Sequence, residues 1–212
     1  MGASRIVVVV LAAGRSTRFG SSGAHKLLAP LCGSPVIRWS TSSALDAAVG
    51  DVVVVVGAHA SVLETALAGL AVRFVPVLGA DAGMSASLRA GIGAVHGSTD
   101  AVIVSLADQP TMRPESYQRV ASTWSGTGAA IVTPRYLSTT SPAHPTLFDA
   151  RVFDELSELT GDVGARAVIA RDPGRVALAT MDWSAPRDID TVSDLAQVEA
   201  ELRVLSKLDR EQ

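Results

Sequence analysis

The chain has 212 residues, 48% of them hydrophobic, 18% charged and 4% aromatic, and a net charge of −3. That length suits one large domain with a substantial core, and the composition excludes a disordered chain. No Lys/Arg run occurs anywhere, which disfavours sequence-independent nucleic-acid binding.

The first apolar run, residues 5–11, reads as a strand buried on both faces, because it is almost unbroken valine. It is too short to span a bilayer and lacks the pattern of a secretory leader, so a cytoplasmic protein with no membrane partner is expected. Cys32 is the single cysteine. It excludes an intramolecular disulfide and a cysteine-rich metal site, and reads as a small buried residue. Residues 35–48 read as a helix with proline in its first turn, followed by a strand at 51–56 and a helix at 59–68. Next come a strand at 72–77, a helix at 84–95, a strand at 101–106, a helix at 114–124 and a strand at 129–133. Each early strand–helix step has the length of a right-handed crossover unit. After Pro134 the rhythm changes. Residues 138–142 are a polar loop, 144–148 a short strand, 150–159 and 163–170 helices, 175–179 a strand and 192–205 a closing amphipathic helix. The expectation is a three-layer α/β/α, Rossmann-like domain with a mostly parallel sheet. It covers residues 1–212, with a C-terminal elaboration packed over one end of the sheet.

The loop after the first strand runs Leu11-Ala12-Ala13-Gly14-Arg15-Ser16-Thr17-Arg18-Phe19-Gly20, with Lys26 behind it. Small residues let the backbone approach a ligand, and successive backbone N–H groups form a concave anion site. Arg18 and Lys26 add positive charge suited to a triphosphate. The position is apt, since open α/β sheets bind ligands beyond the carboxyl ends of their strands. Neither a Walker loop nor a dinucleotide fingerprint fits these residues.

Two acidic segments offer ligands for a divalent ion. Magnesium prefers one or two carboxylates completed by phosphate oxygens and water. Asp108 follows a buried strand in Leu106-Ala107-Asp108-Gln109-Pro110, where a carboxylate is costly unless it faces a ligand. In Arg187-Asp188-Ile189-Asp190-Thr191 the two aspartates share one face of an extended segment while Ile189 points to the core. The alternative for Asp190 or Thr191 is to cap the helix that follows. Gly83-Met84-Ser85-Ala86-Ser87-Leu88-Arg89 opens a helix whose free N–H groups suit a polar ligand edge, or merely form a serine-capped helix start.

These motifs resemble the MobA-like NTP transferase family, which includes the molybdenum-cofactor cytidylyl- and guanylyltransferases. Its Leu-Ala-(Ala/Gly)-Gly-x-Ser-x-Arg-x-Gly signature matches residues 11–20 in full. The stretch from Ser21 to His25 before Lys26 is longer than in the family, and Ala143 stands where the cytidylyl branch has glycine. The resemblance implies the nucleotide-diphospho-sugar transferase type of fold and Mg²⁺-dependent transfer of a nucleotide. It makes Asp108 and Asp190 metal ligands, and Arg18 and Lys26 the triphosphate cations. Leu11, Ala12, Ala13, Gly14, Gly83, Ser85 and Ser87 become nucleotide contacts. His144 of His144-Pro145-Thr146-Leu147-Phe148, the Gly161–Arg166 segment (residues 161–166) and Asp188 fall on the acceptor side. Ala13 in Ala-Ala-Gly is similar to the cytidylyl branch, favouring CTP and a pterin-type phosphorylated acceptor. Guanylyl transfer, a different small phosphorylated acceptor, and a cofactor-delivery chaperone serving a molybdoenzyme client stay open as alternatives.

Overall fold

The computed structural model describes residues 4–14, 19, 25–77, 83–137, 143–161 and 164–208. Arg18 and Asp162 therefore lie outside the described residues. Nine strands and seven α-helices are assigned among those described. β1 (Ile6–Ala12), β4 (Asp51–Val56), β5 (Val72–Pro76) and β6 (Ala101–Leu106) are parallel neighbours in the order β5-β4-β1-β6. The order continues through β8 (Thr146–Asp149), β7 (Ile131–Arg135) and β9 (Val176–Thr180), so one seven-stranded sheet crosses the molecule.

The valine runs explain the layers. In β1, Val8, Val10 and Ala12 face one core, and Val9 faces the other. The first core is covered by α1 (Val36–Asp46), α2 (Ala60–Ala66), α4 (Pro114–Thr127) and α7 (Val192–Leu208). The second is covered by α3 (Gly83–Gly93), α5 (Phe153–Ser157) and α6 (Arg166–Arg171). α3 lies close because Gly91 carries no side chain; a Cβ there would come within 2.5 Å of Val9 Cγ1. No helix among the described residues is long and apolar enough to cross a membrane.

Three expectations are corrected. The short strand expected at 144–148 forms, but within the sheet and not in an elaboration packed over its end. As β8 it inserts between β6 and β7, antiparallel to both. A chain leaving β7 at the carboxyl edge and re-entering at once has to run backwards. Pro134 is tolerated inside β7 because β8 pairs only with Ile131 and Val132, leaving Pro134 beyond that ladder. The 150–159 helix is instead a 3₁₀ turn at Ala150–Val152, capped by the Asp149 carboxylate accepting from the Arg151 N–H, followed by the short α5. Cys32 is exposed rather than buried. It occupies the two-residue turn between β2 (Pro30–Leu31) and β3 (Ser34–Pro35), where Cys32 and Gly33 have φ +47° and +85°, and such a turn projects its side chains.

Ala48, just past α1, also holds a left-handed φ of +52° that disfavours any side chain. Ala48→Gly should therefore stabilise the fold by about 1 kcal/mol, raising the melting temperature by roughly 2–4 °C. Thermal denaturation checks this, and an unchanged or lower midpoint would contradict it.

Candidate active site

The carboxyl edge of the sheet brings distant segments together. β1 ends at Ala12 and passes into Ala13 and Gly14, while β6 ends at Leu106; the Ala107 N–H donates to the Leu11 carbonyl at 3.1 Å, tying the two exits. The exit of β4 lies against the same loop. Gly57 has no Cβ, and one there would sit 3.0 Å from the Ala13 carbonyl oxygen. Across the end of β6, the Ile189 N–H donates to the Asp108 carbonyl at 2.9 Å and Ile189 is fully buried, so the Asp188–Asp190 stretch is stitched down by its apolar centre.

Lys26 joins the two acidic segments. Its Nζ donates to Asp108 Oδ2 at 2.6 Å and to Asp190 Oδ1 at 2.8 Å, from a side chain only 13% exposed. Burial works against the charged amine, but the attraction and hydrogen bond of Asp108, joined by Asp190, outweigh it and hold the Lys26 pKa above its ordinary value. Capping at the start of α7 falls to Thr191 and not to the Asp190 side chain. Thr191 Oγ1 accepts from the Asp194 N–H, and Asp194 Oδ2 accepts from the Asp190 and Thr191 N–H groups, a capping box that leaves the Asp190 side chain to Lys26. Asp188 turns to Gln109, whose Nε2 donates to it at 2.7 Å. Burial, with Asp108 and Asp190 adding to it, pushes its pKa up against that hydrogen bond.

Two carboxylates from different segments thus converge on one cation. Among the described residues, Asp108 Oδ1 and Gln109 Oε1 are buried with no hydrogen-bond partner. An orphaned anionic oxygen beside a focus of negative charge fits a hard divalent ion that takes its remaining ligands from phosphate and water. Among the described residues no group of three His, Cys, Asp or Glu forms a self-sufficient cage. The donor set therefore fits a cation shared with a ligand.

Other expected residues are placed as follows. Leu11 and Ala13 are half-buried, Ala12 buried and Gly14 exposed on the strand exit, and Gly83 is exposed at the start of α3 with Ser87 buried in its first turns. Ser85 is buried and donates its hydroxyl to the Gly161 carbonyl at 2.6 Å, so it binds this chain's own backbone. His144 is half-buried, its Nδ1 3.2 Å from the Val104 carbonyl and its own carbonyl accepting from the Tyr136 hydroxyl at 2.7 Å. His25 was not singled out by its sequence context. It is buried and meets His59 edge-on at 4.7 Å between centroids. Adjacency to Lys26 was the only signal.

Both His25 and His144 titrate below their ordinary value of 6.5. Burial is the main cause, reinforced at His25 by His59 and opposed by the Gly14 backbone; at His144 the Val104 carbonyl and Asp108 oppose it. The unfolded chain then binds more protons than the folded one just below pH 6.5, so stability falls as pH drops through that value. The slope is up to roughly 1.4 kcal/mol per pH unit for each histidine. Melting curves from pH 7.5 to 5 should show a shallower slope for His25→Asn and His144→Asn together than for the parent. Equal slopes would refute the assignment.

The sequence model of the MobA-like NTP transferase domain matches residues 8–176. A nicotine blue oxidoreductase from Paenarthrobacter nicotinovorans is 31% identical over 194 residues, 88% of this chain and 93% of that protein. The bifunctional protein GlmU of Geobacter metallireducens is 29% identical over 126 residues; the match takes in 59% of this chain and only 26% of that relative's length. Among solved structures, Rv0371c from Mycobacterium tuberculosis superposes with a TM-score of 0.79 at 30% identity, covering 94% of this chain and 100% of the other. The same protein has been solved in complex with manganese. A nucleotidyl transferase from Methanothermobacter, Mth528, gives a TM-score of 0.79 at 27% identity, covering 94% and 99% of the two chains.

Proposed function

The chain belongs to the MobA-like NTP transferase family, and from that premise we propose that it transfers CMP from CTP to a pterin-type phosphorylated acceptor, with Mg²⁺ as its cofactor. The observation that carries this reading is the convergence of Asp108 and Asp190 on Lys26, beside the Ala13–Gly14 loop. Attack by an acceptor phosphate oxygen on the α-phosphorus forms one P–O bond and breaks the α–β bond, releasing pyrophosphate. The acceptor phosphate is already ionised, so no general base is required. Lys26 offsets charge on the leaving pyrophosphate, a task it shares with Arg18. Asp108 and Asp190 would hold the divalent ion, which would supply neutralisation of phosphate charge at this site. Manganese in the Rv0371c structure supports a divalent ion in this family without selecting magnesium.

CTP is favoured by Ala13, whose methyl matches the cytidylyl branch; a group of that size carries only ~1–3 kcal/mol of discrimination. GTP and other small phosphorylated acceptors are therefore arms of the test, as is a delivery role toward a molybdoenzyme. The relative named as an oxidoreductase adds a reductase reading, but paired carboxylates on a lysine suit phosphate charge better than hydride transfer. The test measures pyrophosphate release from CTP, GTP, ATP and UTP with Mg²⁺ or Mn²⁺ and molybdopterin, alongside NAD(P)H oxidation. CTP-selective release supports the reading. Release from GTP alone, or NAD(P)H turnover without pyrophosphate, would replace it.

A further inference from the structure

α3 starts at the carboxyl edge of the sheet and holds a second loop by its own side chains. The Ser85 N–H and hydroxyl both donate to the Gly161 carbonyl, at 3.4 and 2.6 Å. One turn later, Arg89 Nη1 donates to the Leu159 carbonyl at 2.6 Å. Gly161 has φ +65°, so the held turn is one that a side chain would strain. Met84 lies over Gly164, where a Cβ would come within 2.8 Å of its sulfur. Leu159 is buried in the same cluster as Leu88 and Ile92 of α3. Just beyond this turn α6 begins with Arg166, an exposed cation. The Arg166 charge opposes protonation of His144, and that of Asp108 favours it. The turn held by α3 is therefore followed closely by a positive charge at the start of α6.

We propose that Ser85 and Arg89 are positioning residues that make the 159–161 turn and the start of α6 an extension of α3. A nucleotide seated on the first turn of α3 thereby sets where Arg166 stands for an anionic acceptor. This rests on the nucleotide-transfer reading above and on the expectation that Gly83 and Ser87, in the first turns of α3, contact the nucleotide. A merely structural Arg89 would cap the end of α5 and stabilise the fold equally with and without nucleotide. A coupling residue must respond to it.

Hydrogen–deuterium exchange separates the two roles, using CTP with Mg²⁺ as the probe and no acceptor. In the parent protein, CTP should slow exchange at Ala13, Gly14 and Lys26, and also at residues 159–161 and 164–166, by about tenfold, the factor equivalent to about 1.4 kcal/mol. In Arg89→Ala the first group should stay protected while the second loses its response, and Arg89→Lys should restore it. Arg89→Gln, which keeps the aliphatic stem, serves if the alanine variant folds poorly. Protection of the first loop without the second in the parent, or an unaltered response in Arg89→Ala and Arg89→Gln, overturns the coupling. If CTP, GTP, ATP and UTP all leave Ala13, Gly14 and Lys26 unprotected, the nucleotide reading itself falls and the coupling with it.

Discussion

Asp108→Ala should abolish turnover, by a factor on the order of 10³ or more, while the protein still folds. The factor follows from losing a proposed ligand of the divalent ion: removing a single preorganised group that stabilises the developing negative charge typically costs about 10²–10³, and the ion would stabilise more of it than one such group. Folding survives for a geometric reason. Asp108 stands past the last residue of β6, and the contact it makes to the rest of the sheet edge is through its backbone, whose carbonyl accepts from Ile189. That bond persists in alanine. The side chain contributes an oxygen with no partner and an oxygen bonded to Lys26, which keeps Asp190 as a second acceptor. The variant should also lose most of the Mg²⁺-dependent rise in melting temperature that binding confers by mass action. Pyrophosphate release and thermal shift, measured on one preparation, check both halves. Turnover within tenfold of the parent would remove Asp108 from the chemistry.

Local patterning was more legible than the partnerships. Strands such as Asp51–Val56 could be read because a strand buried on both faces must be apolar throughout, a local constraint visible in any window. The Asp-Ile-Asp spacing was readable for the same kind of reason: Ile189 is buried, and the flanking carboxylates are left at the edge. What each carboxylate meets is set by tertiary packing. Asp188 is taken by Gln109 and Asp190 by Lys26, the latter pair separated by 164 residues in the chain. Sheet order escaped for a related reason. β8 has only four residues, and nothing in Thr146–Asp149 says which neighbours it will enter between or in which direction. Ser85 shows the limit of motif reading, because a serine in a helix's first turn serves a ligand or a neighbouring loop with the same hydroxyl. Arg18 keeps its assignment as a proposal from the signature alone, since it lies outside the described residues.

Lys26→Met should be the more revealing variant, because its effects on stability, metal response and catalysis have different signs. In the parent, one buried ammonium satisfies carboxylates contributed by the end of β6 and by the segment before α7. Removing it leaves Asp108 and Asp190 facing each other without a counter-charge. Breaking a fully buried pair costs ~3–5 kcal/mol. Asp190 is 49% exposed, so water screens part of that loss, and roughly 1–3 kcal/mol is the expected cost. For a domain of this size that lowers the melting temperature by roughly 2–12 °C. The same exposed negative charge should bind a divalent ion more readily, so Mg²⁺ should recover more of the melting temperature in Lys26→Met than it adds to the parent. Turnover should nevertheless fall by a factor on the order of 10²–10³, since the leaving pyrophosphate loses a cation. Alkaline titration supplies an independent sign. The raised folded-state pKa of Lys26 gives stability that is present below its unfolded value and lost as pH rises through the folded one. The parent should therefore weaken at strongly alkaline pH in a way the methionine variant does not. A variant that melts with the parent, answers Mg²⁺ no more strongly and keeps its turnover would show Lys26 to be a surface cation. Recovery by Mg²⁺ without recovery of turnover would place the lysine in the transfer step itself.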